Sequence, residues 1–232
     1  MQYDTKKKLN KVDSQKYRNL RIPELDWALN EALEVFIKRI AEPRAKNGFG
    51  FEVNQRSIDD IREIVVNSNT PLPAASFTDN SYTVSLPDNY MFYLSSYVEM
   101  TKGECTTKGK LLIKQHDDSH EESIFDKSSF EWREVNARFF EEGLRIFTDE
   151  TFVINNICEL NYIRKPAYMH NAEDYVGATY NLPDGTVLTG TQDCELSEHT
   201  HREIVDLAVL ILSGQMQLPD YQIKKDKLNL LN

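Results

Sequence analysis

The hydrophobic period of this chain changes twice, and those changes limit its fold more than any other feature. From Leu25, apolar residues Ala28, Leu29, Ala32, Leu33, Phe36, Ile37 and Ile40 recur at three- and four-residue steps, the spacing of one helical face. In "YTVSLPDNYMFYLSSYVEM" the step falls to two, placing Tyr90, Phe92, Leu94, Ser96, Val98 and Met100 on one face of a strand. From Ile204 to Leu212 a helical run returns that is apolar around nearly its whole circumference, as a buried helix is. Helices and strands come in clusters rather than in strict alternation, which predicts an α+β fold.

Local signals set the expected boundaries. Pro23 suits a first helical turn, with Glu24 and Asp26 placed where carboxylates favour the helix dipole, and Pro43 closes that helix near Glu42. Asn54 is positioned to cap a second helix with Ile58, Ile61 and Val65 as its stripe, so the pair predicts an N-terminal helical hairpin. "TKGECTTKG" reads as a loop before the strand "KLLIKQH". The Ser128–Glu131 capping box, followed by Trp132, Val135, Phe139 and Phe140, predicts a helix inserted into the antiparallel β region. "LRIFTDETFVINNICELNYIRKP" predicts two strands around a turn at Thr148–Glu150, and "ATYNLPDGTVLTG" a hairpin turning at Asp184-Gly185. Thr200 and Glu203 form a second capping box, and Gly214 is the expected end of the buried C-terminal helix. The predicted division is a basic arm over 1–21, one α+β domain over 22–213 (helical over 22–67, mixed over 77–213) and a tail over 214–232.

Charge is distributed unevenly. Residues 1–21 carry seven Lys/Arg against two Asp, a net +5, in a chain of net charge −10, which leaves −15 for the rest. A body that acidic repels phosphate and is unsuited to gripping nucleic acid. The arm lacks an apolar stripe, so it is expected to order only against a partner. No apolar run reaches the roughly 20 residues of a membrane span, and the N-terminus has no apolar signal region. Cys105, Cys158 and Cys194 are an odd number without C-x-x-C spacing, as expected of reduced thiols in a cytosol.

The densest chemistry is "CELSEHTHREIVDLAVLILSG". A metal site there requires His199, His201, Cys194 and a carboxylate to converge. On a helix, residues two apart do not face each other, and the i, i+4 spacing of H-E-x-x-H is absent. The capped helix explains the same residues, so no metal is expected. His116, Asp117, Asp118 and His120 form a polar loop without the glycines of a cation-binding loop. Cys158 and His170 could form a dyad from distant positions, although Cys158 reads more simply as a small packing residue in its strand. No catalytic residues, cofactor or metal ligands are assigned, and the chain is not expected to be an enzyme.

The succession "ALNEALEVFIKRI", "FEVNQRSIDDIREIVV", "SLPDNYMFYLSSYVEM", "ELNYIRKP" and "CELSEHTHREIVDLAVLIL", from Leu25 to Leu212, resembles virion proteins of crAss-like tailed bacteriophages, specifically head-to-tail connector (neck ring or adaptor) proteins. The resemblance implies a structural virion protein below the portal that joins capsid to tail and lets genomic double-stranded DNA pass without sequence-specific binding. It implies a homo-oligomeric ring of about twelve copies, with the portal and other neck or tail rings as partners. Location at the head–tail junction, assembly in the bacterial host cytoplasm and no membrane contact follow. Two alternatives are a small metal-dependent hydrolase built on Glu198, His199 and His201, and a host-directed binding protein.

Overall fold

A computed structural model describes residues 1–9, 20–41, 59–78, 81–114, 127–141, 143–148, 151–216, 218 and 221–230. The fold is mixed α+β, as the change of period predicts. The chain divides into two compact units, Val65–Lys165 and Met1–Ile64 with Pro166–Asn232.

Val65–Lys165 is a sheet unit. Its strands are β1 (Val65–Ser68), β2 (Leu72–Pro73), β3 (Ala75–Thr78), β4 (Ser81–Val84), β5 (Tyr90–Lys102), β6 (Cys105–Ile113), β7 (Glu134–Phe140), β8 (Gly143–Phe147) and β9 (Val153–Arg164). They run in the order β1-β9-β5-β6-β7-β8-β4-β3, with β2 following β1 along the same edge of β9. Every pairing is antiparallel except β6 with β7. Val98, Met100, Leu111, Val135, Leu144, Ile146, Ile154, Ile157 and Leu160 belong to one buried cluster drawn entirely from this unit. The sheet therefore curls over its own inner face. Tyr90, Tyr93, Phe139 and Tyr162 extend that core as a tilted and edge-on aromatic group with centroids 5.8–6.1 Å apart.

Several expectations change in this unit. The inserted helix is strand β7. Arg133 at φ +56° breaks any helix there, and the Ser128 hydroxyl donates to Phe147 O (2.6 Å) while accepting from Asn136 N (3.0 Å) rather than capping a turn. Val135 and Ala137 go fully inside at a two-residue step, and Trp132 is 80% exposed. In β5 the expected face is interrupted: register shifts between Tyr90 and Phe92, and between Tyr93 and Ser95, turn Tyr93 toward the core and leave Leu94 exposed. Val65, expected on a helix, opens β1, so helical character ends with the short 3₁₀ turn Arg62–Ile64. Asn54, Ile58, most of the second helix and His116–His120 lie outside the described residues. The strands of "LRIFTDETFVINNICELNYIRKP" form as expected, but each pairs with other neighbours. β6 begins at Cys105, because Gly103 at φ +60° turns the chain in two residues where a longer loop was expected.

The other unit is helical: α1 (Gln2–Lys8), α2 (Ile22–Ala41), α3 (His201–Gln215) and α4 (Tyr221–Leu230). It also holds two small ladders, β10 (His170–Asn171) with β13 (Thr191–Gln192), and β11 (Thr179–Asn181) with β12 (Val187–Thr189). The second is the hairpin expected at Asp184-Gly185, with Gly185 at φ +87°. Leu25, Ala28, Leu29, Ala32, Leu33, Phe36 and Ile37 of α2 are buried, as their period requires, and so are Ile204, Val205, Leu207, Ala208, Val209 and Leu212 of α3.

The ends of this unit differ from expectation. The first residues of the basic arm form α1, docked rather than free. Thr5 and Leu9, four residues apart, are buried, and Lys8 Nζ meets Asp206 Oδ1 at 2.7 Å. Its lysines fall in the last turn, where cations suit the dipole. The expected tail contains α4. Gly214 lies inside α3, which runs on to Gln215, and a side chain at Gly214 would meet the Tyr221 ring at 3.1 Å. The Thr200–Glu203 capping box does not form, because α3 is entered through a 3₁₀ turn, Glu198–Thr200, and the Thr200 hydroxyl donates to Ser197 O (2.8 Å). Among the described residues no helix is long and apolar enough to cross a membrane.

Candidate functional site

The most organised polar group in the helical unit is the Asp26 side chain. It sits near the start of α2, 2% exposed, among leucines. Burying a carboxylate costs several kcal/mol unless donors replace its water. Here they do. Oδ2 accepts from Asn171 N (3.0 Å) and from the Tyr180 hydroxyl (2.8 Å), and Oδ1 accepts from the Gln2 amide. The helix dipole adds a favourable term at this end.

One turn on, Asn30 reads the same segment of chain. Its Nδ2 donates to Met169 O (2.7 Å) and to Asp26 O (2.7 Å), and its Oδ1 accepts from Met169 N (2.8 Å). The pair Asp26 and Asn30 thus fixes Met169–Asn171 against α2 as a strand partner would. Burial pushes the hydroxyls of Tyr168 and Tyr180 above their ordinary value, and for Tyr180 the bond to Asp26 pushes the same way. Both stay protonated at neutral pH, and the Tyr180 proton is committed to Asp26.

Beside this hub lies a cavity of about 490 Å³. Trp27, Tyr168 and Tyr180 supply rings, Pro23, Leu212 and Met216 supply apolar walls, and Glu24 is the charged residue among those lining it. Glu24 is held by Arg21 N, which donates to its Oε2 (2.9 Å). Trp27 remains 44% exposed, so the cavity opens on a surface indole.

The residues singled out from the sequence go elsewhere. His199 Nε2 faces Asp60 Oδ1 at 2.7 Å, whereas His201 Nε2 faces Leu196 O at 2.9 Å. Ser197 Oγ donates to Glu63 Oε1 (2.6 Å), so this stretch ties the entry of α3 to Asp60–Glu63. Cys194 is half-buried, and burial raises its thiol pKa. Among the described residues no three His, Cys, Asp or Glu side chains are placed to hold a metal ion. Cys158 sits within β9, its Sγ 3.3 Å from Tyr97 O and its pKa raised by burial. The ring nitrogens of His170 face Tyr168 O (3.1 Å) and Thr189 O (3.2 Å).

The sequence reading marks Asp26 only as a first-turn carboxylate and does not single out Asn30, Tyr168 or Tyr180. The available signal was a polar pair four residues apart in step with Leu29, Leu33 and Ile37, where an ordinary core helix would be apolar. No family model matches the chain, and no curated protein matches its sequence.

Proposed function

We propose that the chain is a structural virion protein, a subunit of a homo-oligomeric ring in the head-to-tail connector below the portal. The ordered motifs from Leu25 to Leu212 supply the family. The observation in the molecule that favours this reading is its pair of unlike units, each with large apolar side chains in water: Trp27, Val176 and Val187 in the helical unit, Leu94, Phe140 and Val153 in the sheet unit. A closed ring needs head-to-tail contact between two dissimilar surfaces on each subunit, and exposed apolar groups are what such contacts bury. The net charge of −10 suits a channel that lets DNA slide rather than grip.

Mass spectrometry of purified virions tests this. The chain is expected in a fixed ratio to the portal, near one to one for a twelvefold ring. Its absence from particles, or a copy number tracking the capsid shell, would remove the connector reading. The cavity beside Trp27 favours a second reading, a protein that binds a host partner, and that reading expects a soluble protein missing from particles.

A further inference from the structure

Seven residues are too few for a helix to hold its shape alone in water, so α1 exists because it is docked. Its anchors are few. Thr5 and Leu9 are buried, the Gln2 amide donates to Asp26 Oδ1, and Lys8 Nζ meets Asp206 Oδ1 at 2.7 Å. The receiving surface thus offers one carboxylate from α2 and one from α3 to an arm of net charge +5. That match selects the chemistry of the arm and not the copy of the chain that supplies it. The covalent link does not select the copy either. Twelve residues, 10–21, join α1 to α2, and a chain of that length reaches up to about 40 Å, beyond the ~30 Å diameter of a small domain.

Release of α1 without replacement is costly. Asp26 is 2% exposed, and without Gln2 its Oδ1 loses its donor. Exchange avoids that loss. The α1 of a second copy restores each contact, Gln2 on Asp26 and Lys8 on Asp206 included, and swapping an identical element is a low-cost route to assembly. Each subunit then gives a helix and receives one through a different surface, the head-to-tail relation that a closed ring requires. We propose that α1 is an exchanged arm: in the assembled state the α2–α3 surface of each subunit holds α1 of a neighbouring copy. The proposal rests on the ring reading for its topology, while all of its contacts lie within the helical unit.

Lys8→Glu and Asp206→Lys, made separately in the full chain, test this. Both side chains are partly exposed, 34% and 23%, so reversal opposes the ion pair without burying a new charge. In either variant alone the pair repels, whether α1 sits on its own chain or on a neighbour of the same kind. In an equimolar mixture of the two, exchange restores opposite charges at every contact, and docking on the home chain restores none. With one variant tagged, capture should recover the other about tenfold more than it recovers an untagged copy of its own kind. The variant with both substitutions should regain the parent's Tm. Recovery no higher from the mixture than from like copies would overturn the exchange. So would a double variant no more stable than the single ones, because Lys8 and Asp206 would then not be the contact. A portal complex of the parent that closes into a ring with every α1 on its own subunit would also overturn it and leave the ring reading standing. Preferential capture from the mixture without any ring on the portal would do the reverse.

Discussion

In Val65–Lys165 most of the deepest side chains need only neighbours: Val98, Met100, Leu144 and Ile157 are fully buried without a polar group, and the buried polar groups are uncharged, as in Ser96, whose hydroxyl pairs with that of Tyr93. In the helical unit the same depth contains Asp26, with Gln2, Asn171 and Tyr180 arranged around it and Asn30 holding Met169 alongside. An apolar core tolerates many exchanges of shape at modest cost. A buried, fully bonded carboxylate does not, because each lost donor leaves a stranded charge. The sheet unit is thus specified mainly by pattern. The path of Met169–Tyr180 in the helical unit is specified by a few bonds, and those bonds also shape the wall of the cavity.

Removing the hub should produce the largest effect. Asp26→Ala strands Asn171 N and the Tyr180 hydroxyl and is expected to cost about 3–5 kcal/mol in denaturant unfolding. Hydrogen exchange should quicken across 168–181 and change little in Val65–Lys165. Ile157→Ala is the matching cut in the sheet unit. It should cost about 2–4 kcal/mol and quicken exchange there instead. If both substitutions loosened the same segments, the contrast between the units would be lost.

A smaller loss, about 1–3 kcal/mol, is expected of Gly143→Ala. Gly143 turns β7 into β8 at φ +130°, and a Cβ there would stand 2.4 Å from Val84 O. Thermal unfolding should show it, and a variant as stable as the parent would mean that the β7–β8 turn is not held against β4 as described.

The smallest effect is the share of the alkaline pH dependence that Tyr90, in the aromatic group of the sheet unit, contributes. Burial pushes the Tyr90 hydroxyl up to about 12, with Tyr93 adding to the shift, so the folded state keeps a proton that the unfolded chain releases near 10. The stability this confers is complete below about pH 10 and is lost as the pH climbs toward 12. Urea unfolding of the parent across that window should fall more steeply than that of Tyr90→Phe. Parallel slopes would show that Tyr90 is not buried on the sheet's inner face.

The same contrast explains what was legible in the sequence. α2, α3, β5 and the Asp184-Gly185 hairpin could be read because period and turn chemistry agree there with the tertiary structure. β7 was misread because Trp132, Val135, Phe139 and Phe140 satisfy a helical step while Val135, Ala137 and Phe139 satisfy a strand step. Only the left-handed Arg133 and the bonds of Ser128 decide between them. α1 was misread because its lysines dominate a segment whose burial depends on just Thr5 and Leu9. The hub leaves only the polar pair Asp26 and Asn30 as a local trace, for a different reason. Asp26 and Tyr180 are 154 residues apart, and no local pattern announces a bond over that distance.

The ring is tested most directly by averaged cryo-electron images of particles, or of a portal complex co-assembled with this chain. The account predicts one closed ring of about twelve copies below the portal, adjacent subunits meeting through different surfaces, with both units resolved around a channel wide enough for duplex DNA. Single copies, scattered decoration of the capsid, or a portal complex from which the chain is absent would contradict it.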